Sequence, residues 1–257
     1  MISVDESNRA AIDGLVTPVM GAGDRAFAIY QPLVSGSGFG VTTPNSDLTA
    51  VFASELASQE ELALLLSSIR DHRLAQLTRP RVIFSTNRDG VSLATLFECA
   101  RQRSPSAETL LLVLSVSGRS LIGAFCTDAW FSMACTGSYF GRGGCFLFRL
   151  RPGPACIYPW CGDARRPACN RFQRRPPTDS TSGLEIGGGL GSGPAGLAID
   201  ANLSTGFSGP TETFSSDCLI TASEDRLDMS DSQLAPMDST ACRFLISAVE
   251  LIGFEEI

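Results

Sequence analysis

The chain of 257 residues contains no lysine; all 20 of its basic residues are arginine. Arginine stays protonated, which excludes Schiff-base chemistry and the lysine of a phosphate-binding G-x-x-x-x-G-K loop. Histidine is almost absent too. His72 is the single candidate base for a Ser/His/Asp triad, and no G-x-S-x-G elbow accompanies it. It lies three residues beyond Ile69 on an apolar stripe, which reads as a packing or helix-end residue. Long apolar runs are missing: Leu110 to Leu114 falls far short of the roughly 20 residues of a membrane-spanning helix. The opening Met1-Ile2-Ser3-Val4-Asp5-Glu6 lacks the features of a secretory signal, and Ile2 stands where myristoylation requires glycine. A cytoplasmic protein is the expectation.

Positive charge is also in deficit. A net charge of −7 argues against nucleic acid as a partner, because such binding requires a basic surface to displace counterions. The nine cysteines include no C-x-x-C pair, so they read as reduced thiols, with neither a disulfide framework nor a metal centre expected. Gly191-Ser192-Gly193-Pro194-Ala195-Gly196 fits the letters of G-x-G-x-x-G. The next residues, Leu197-Ala198-Ile199, read as a strand where a dinucleotide fold needs a helix, so no cofactor is expected.

The chain is nonetheless patterned and 44% hydrophobic. Residues 1–55 mix Gly, Ser, Pro and Thr and read as an irregular segment with one hairpin at most; residues 56–257 form the domain. Leu62, Leu65, Leu66 and Ile69 share a helical face, and Ser58 with Glu61 makes a capping box, predicting a helix of about four turns. Arg81 to Ser85 reads as a strand and Asn87 to Gly90 as a turn. Leu93, Leu96, Phe97 and Ala100 mark a second helix with Ser92 as its N-cap. Leu110 to Leu114 reads as a strand buried on both faces, joined across Ser117-Gly118 to Leu121 to Phe125. Phe146 and Phe148 alternate with Leu147 and predict phenylalanines facing the core. Arg243 to Phe254 is a long final strand. The fold class is α+β, mainly β: a two-sheet antiparallel sandwich with a few flanking helices.

Three groups of residues can carry function. Glu250 shares its strand face with Ile246, Ala248 and Ile252, so a buried carboxylate is expected to need a partner, an arginine above all; it reads as a structural anchor, with acid–base catalysis the alternative. The stretch from Arg142 to Arg175 holds eight arginines against Asp163, whereas Glu212 to Asp238 holds seven carboxylates against Arg226. These read as solvated loops or as a basic patch for an acidic protein or an anionic membrane. Within the first stretch lie Cys156, Cys161 and Cys169, with Arg142, Arg165, Arg166 and Arg171 around them. Such a setting suits a redox-sensitive thiol, although small core cysteines are equally compatible with the pattern.

A series of blocks in fixed order resembles a known family. Phe84-Ser85-Thr86-Asn87-Arg88-Asp89-Gly90-Val91-Ser92-Leu93 comes first, then Gly123-Ala124-Phe125, then Tyr139-Phe140-Gly141 leading to Phe146-Leu147-Phe148. Leu184-Glu185-Ile186-Gly187-Gly188-Gly189 runs on to Gly196-Leu197-Ala198-Ile199-Asp200, and Thr213-Phe214 and Val249-Glu250-Leu251-Ile252-Gly253-Phe254 close the series. Over residues 80–255 this resembles the TLDc domain of oxidation-resistance and vesicle-trafficking proteins. The resemblance implies two packed antiparallel sheets, protection from oxidative stress, no established reaction, and a protein partner, since several members bind the vacuolar-type proton-pumping ATPase. It also implies a place in the cytoplasm or peripherally on endolysosomal or vacuolar membranes. The chain departs from the pattern at Arg142-Gly143-Gly144, Ala198 and Ile252, and at Thr211 and Ser216, where cysteine and asparagine are usual. A thiol-based antioxidant or redox sensor is the alternative function.

Overall fold

The structure, a computed structural model, describes residues 19–20, 26–29, 54–71, 74, 78–104, 106–130, 137–175, 183–189, 195–227 and 241–256. Thirteen strands, β1 Val19–Met20, β2 Ala26–Ile29, β3 Thr78–Ser85, β4 Thr109–Ser115, β5 Leu121–Cys126, β6 Tyr139–Phe140, β7 Phe146–Arg151, β8 Cys156–Pro159, β9 Gln173–Arg174, β10 Leu184–Ile186, β11 Leu197–Ile199, β12 Thr205–Ser208 and β13 Cys242–Glu256, form one antiparallel hydrogen-bonded network. Its order is β1-β2-β8-β7-β5-β4-β13-β12-β11-β10-β9-β6, with β3 pairing β13 off this path. The helices are α1 Gln59–Ser68, α2 Thr86–Asp89 and α3 Leu93–Arg103.

The network packs as two sheets on a shared core. Leu111, Val113, Ile122, Ala124 and Leu147 of one sheet meet Leu184, Ile186, Leu197 and Ile199 of the other, and α3 adds Leu96 and Phe97. The opposite face of the first sheet, with Leu110, Leu112, Phe125, Phe146 and Phe148, is covered by Leu62 and Leu65 of α1. Both faces of β4 and β7 are therefore buried. Phe146 and Phe148 face the core beneath the helix, as expected, and Leu147, on the other face of β7, is buried in the intersheet core. Gly123 permits β5 to lie beside β4: a Cβ there would stand 1.9 Å from the Leu111 carbonyl oxygen.

Strand β13 joins the sheets. Its first residues pair β12, from Cys242 opposite Ser208 to Leu245 opposite Thr205, and its remainder pairs β4 and β3. A register shift against β4 falls between Ile246 and Ala248. Phe244 and Ile246 face the intersheet core, but beyond the shift Val249 and Leu251 do so, while Ala248, Ile252 and Phe254 face α1. A bulge inserts one residue and so reverses the period-2 alternation. Ile246 accordingly does not share the face of Glu250.

Local signals set the helix starts. Ser58 and Glu61 form the reciprocal capping box, and the Ser92 hydroxyl accepts from Thr95 N. Helix α1 spans ten residues, shorter than the four turns expected, and the Ser67 and Ser68 hydroxyls both donate to the Leu64 carbonyl at its end. His72 lies outside the described residues. The stretch read as the turn Asn87 to Gly90 holds α2, a single helical turn with Gly90 at its C-cap.

Two buried or half-buried carboxylates tie these pieces together. Glu250, 1% exposed, accepts from the Ser54 hydroxyl at 2.5 Å and the Glu55 amide at 2.9 Å. Ser54 Oγ also accepts from the amides of Leu56 and Ala57, which fixes the chain leading into α1. The partner is thus a hydroxyl and a main-chain amide, and among the described residues no arginine pairs with Glu250. Asp89 accepts from Arg88, from Arg103 of α3 at 2.9 Å and from the Ser85 amide at 3.1 Å. Burial opposes its ionisation, but the hydrogen bonds from Arg88, Arg103 and Ser85 outweigh that and hold its carboxyl at about 2.

Glu250→Gln leaves a donor facing the Glu55 amide and is expected to cost about 1–3 kcal/mol in denaturant unfolding. Ser54→Ala should cost a similar amount, with the double variant less destabilised than the sum; simple additivity would show that the two groups do not act together. Because Asp89 titrates below its ordinary value, its contribution is complete above about pH 4 and disappears as pH falls toward 2. Over that interval the native chain should lose about 2 kcal/mol more than Asp89→Asn in urea titrations.

Candidate functional site

Two loops, one after β8 and one after β12, form a cleft of about 250 Å³, lined on one side by Cys161, Asp163, Arg166 and Cys169 and on the other by residues 210–212, Ser215 and Ser216. The first loop leaves β8 at Trp160, whose indole Nε1 donates to the Cys169 carbonyl at 2.8 Å. A 3-10 turn, Pro167–Asn170, comes next, and Asn170 Nδ2 donates to the carbonyls of Ala164 and Arg166. In the second loop Thr211 and Ser216 bridge through Thr211 N to Ser216 O at 2.9 Å, and Ser215 takes φ 48 to close the turn. The loops are stitched by Cys161 N to Thr213 O at 2.9 Å and by Thr213 Oγ1 to Ala168 O at 3.0 Å. Arg166 and Glu212 pair across the opening; with the arginine 61% exposed, such a pair is worth at most about 1 kcal/mol.

The glycine-rich block lies beneath this cleft. Gly187, at φ +67, and Gly188 donate to the carbonyls of Phe172 and Arg171, and Gly187 sits so near Phe214 that a Cβ would meet its ring at 2.9 Å. The block joins antiparallel β10 and β11, as its flanks predict, and residues 190–194 lie outside the described residues. Its role is close packing and a positive φ.

Cys161 is exposed and Cys169 is buried, on the same side of the cleft. Burial first, and then the neighbouring Cys161, push the Cys169 thiol up to about 11. Cys156 is not part of the cleft: it stands on β8, where Arg149 Nη2 lies 3.3 Å from its sulfur. Arg142 is elsewhere again, donating to the Thr127 carbonyl and pairing with Asp128. Arg171 reaches the Gly189 carbonyl, and the Arg165 amide donates to Asp163. Of the group singled out from sequence, the structure brings together Cys161, Cys169 and Arg166.

The arginine-rich stretch is largely absorbed by the fold. Arg151 pairs with Glu61 of α1 at 2.9 Å, Arg174 with Glu185 at 2.6 Å, and Arg175 lies over the Phe97 ring at 4.3 Å. Cys218 and Cys242, which were not among the residues singled out from sequence, have sulfurs 3.1 Å apart. A separation of 24 residues leaves no local signal for such a pair. Burial pushes the thiols of Cys99, Cys126 and Cys145 up, which keeps them protonated.

A β-sandwich closed by one strand common to both sheets, with a loop-built cleft over a glycine-rich turn, is the class of domain that these features define. The family model described as the TLDc domain matches residues 51–255, and the chain belongs to that family. It is 36% identical over 141 residues to oxidation resistance protein 1 of Emericella nidulans, covering 51% of this chain and 34% of that protein. It is 29% identical over 143 residues to GTPase-activating protein skywalker of Drosophila melanogaster, 53% of this chain and 23% of that one. It is also 32% identical over 139 residues to nuclear receptor coactivator 7 of Gallus gallus, 54% and 13% respectively. The matched stretch thus spans about a third of the first relative and less of the others. Thr211, where the family pattern has cysteine, lines the cleft that holds Cys161 and Cys169.

Limited alkylation at pH 8 should label Cys161 at least roughly tenfold faster than Cys169, because the Cys169 thiol is buried and pushed up. Equal rates in peptide mapping would contradict the arrangement of the cleft.

Proposed function

We propose that this TLDc chain is a non-enzymatic protein-interaction module of the oxidative stress response, and that its partner is a subunit of the vacuolar-type proton-pumping ATPase. One observation carries the first part. The same domain makes up a third or less of proteins whose names denote oxidation resistance, GTPase activation and receptor coactivation. A unit carried by such different proteins is better explained by a shared binding role than by a shared reaction. The pump is chosen because several members of the TLDc family bind it. On this reading the chain works in the cytoplasm, recruited to endolysosomal or vacuolar membranes through its partner.

A second reading is favoured by one feature of the cleft. The exposed Cys161 and the buried Cys169 line the same cleft, an arrangement in which an oxidised thiol has a resolving neighbour.

Affinity purification of the intact chain from cell lysate, in reducing and in oxidising buffer, is expected to recover pump subunits; their absence from both would overturn the choice of partner. Cells deprived of the chain should survive peroxide less well and be restored by the native chain and by Cys161→Ser alike. Restoration that fails only with Cys161→Ser, together with peroxide consumption by the pure protein, would favour the thiol reading.

A further inference from the structure

Cys242 opens β13 opposite Ser208, and Cys218 lies beyond the Thr211–Ser216 turn, two residues past the cleft. Their sulfurs are 3.1 Å apart, with Cys218 7% and Cys242 4% exposed. Both backbones are tethered to the same strand pair. On one side the Leu219 amide donates to Ser208 Oγ at 2.8 Å, and that hydroxyl donates to the Gly196 carbonyl at 2.7 Å. On the other, the Leu227 amide donates to the Arg243 carbonyl at 2.8 Å and Arg226 Nη2 to the Ile220 carbonyl at 3.0 Å. A disulfide requires its sulfurs at roughly 2.05 Å, so a shift of about 1 Å in side chains closes the bond.

The electrostatics make the two thiols unequal. The hydrogen bond with Cys242 draws the Cys218 thiol down against the effect of burial, helped by the Ile220 main chain and the charge of Arg226. Cys242 is raised, by that same bond and by burial. Of the two, Cys218 is the thiol more readily ionised.

We propose that Cys218 and Cys242 form a hydroperoxide-reactive dithiol that closes to a disulfide between β13 and the chain segment beyond the cleft. The Cys218 thiolate attacks a peroxide oxygen; the S–O bond forms, the O–O bond breaks, and the departing hydroxide takes the Cys242 proton to leave as water. The Cys242 thiolate then attacks the Cys218 sulfenic sulfur, forming S–S and breaking S–O. Hydroxide leaves and takes up the proton that Cys218 had released, so two thiols and one hydrogen peroxide give one disulfide and two waters. An external thiol such as dithiothreitol reverses the oxidation. The bond ties Cys218, two residues past Ser216 of the cleft, to the strand common to both sheets, so oxidation restrains that side of the cleft. These thiols lie outside the Cys161–Cys169 pair, and their oxidation does not depend on the proposed partner.

The test uses the full chain, treated with a few equivalents of hydrogen peroxide, blocked with N-ethylmaleimide and digested without reduction. A linked peptide joining Cys218 to Cys242 is expected, with a rise in Tm of roughly 5–10 °C that dithiothreitol abolishes. Cys161→Ser and Cys169→Ser should keep both signals, and Cys218→Ser and Cys242→Ser should lose them. Dimedone should mark Cys218 in the Cys242→Ser chain and should not mark Cys242 in the Cys218→Ser chain. Recovery of both residues alkylated after peroxide has oxidised other cysteines would overturn the proposal, and that result needs no variant to fold. Dimedone on Cys242 alone would overturn the assigned order of attack.

Discussion

The bulge between Ile246 and Ala248 is the constraint around which the fold is arranged, because one strand has to serve two sheets. A regular strand of that length presents alternate residues to a single face throughout. Here the intersheet core needs Phe244 and Ile246 from the part beside β12, and Val249 and Leu251 from the part beside β3 and β4. Only a change of parity supplies both sets. The same change turns Ala248, Glu250, Ile252 and Phe254 outward beneath α1, which gives that helix an apolar floor. The two cores on either side of the first sheet are in this sense one solution to one register problem.

Glu250 owes its surroundings to that geometry. A carboxylate placed on the helix-facing row would be costly if left alone, and Ser54 with the Glu55 amide satisfies it from a segment 195 residues away in sequence. The contact fixes where the chain enters α1. Asp89 acts comparably close by, beside the Ser85 that pairs with Glu250, where it gathers Arg88, Arg103 and the end of β3. The arginine-rich composition is thus used largely within the fold: Arg103, Arg151 and Arg174 bind carboxylates on other elements.

The cleft and the two thiol pairs share one region of the molecule. Loops after β8 and β12 are held by main-chain bonds to each other, and the glycine-rich turn packs against Phe172, Arg171 and Phe214 below them. Such loops are well placed to present variable side chains on a constant frame, which fits a domain found within otherwise different proteins.

The features legible in the chain alone are local ones. The capping box at Ser58 and Glu61, the Ser92 cap, the hairpin across Ser117-Gly118 and the doubly buried Leu110 to Leu114 depend on neighbours within a few residues, and their patterns are visible in the sequence. The ordered blocks likewise marked the family. Other features arose only with the tertiary structure: the reversal of faces in β13, the orientation of Phe146 and Phe148 toward α1, the Ser54–Glu250 contact, and the meeting of Cys218 with Cys242. Each depends on which strand lies alongside which, or on a contact between segments distant in the chain, and periodicity carries no such information. An alternating strand reports that it has two faces; only its neighbours decide what each face meets.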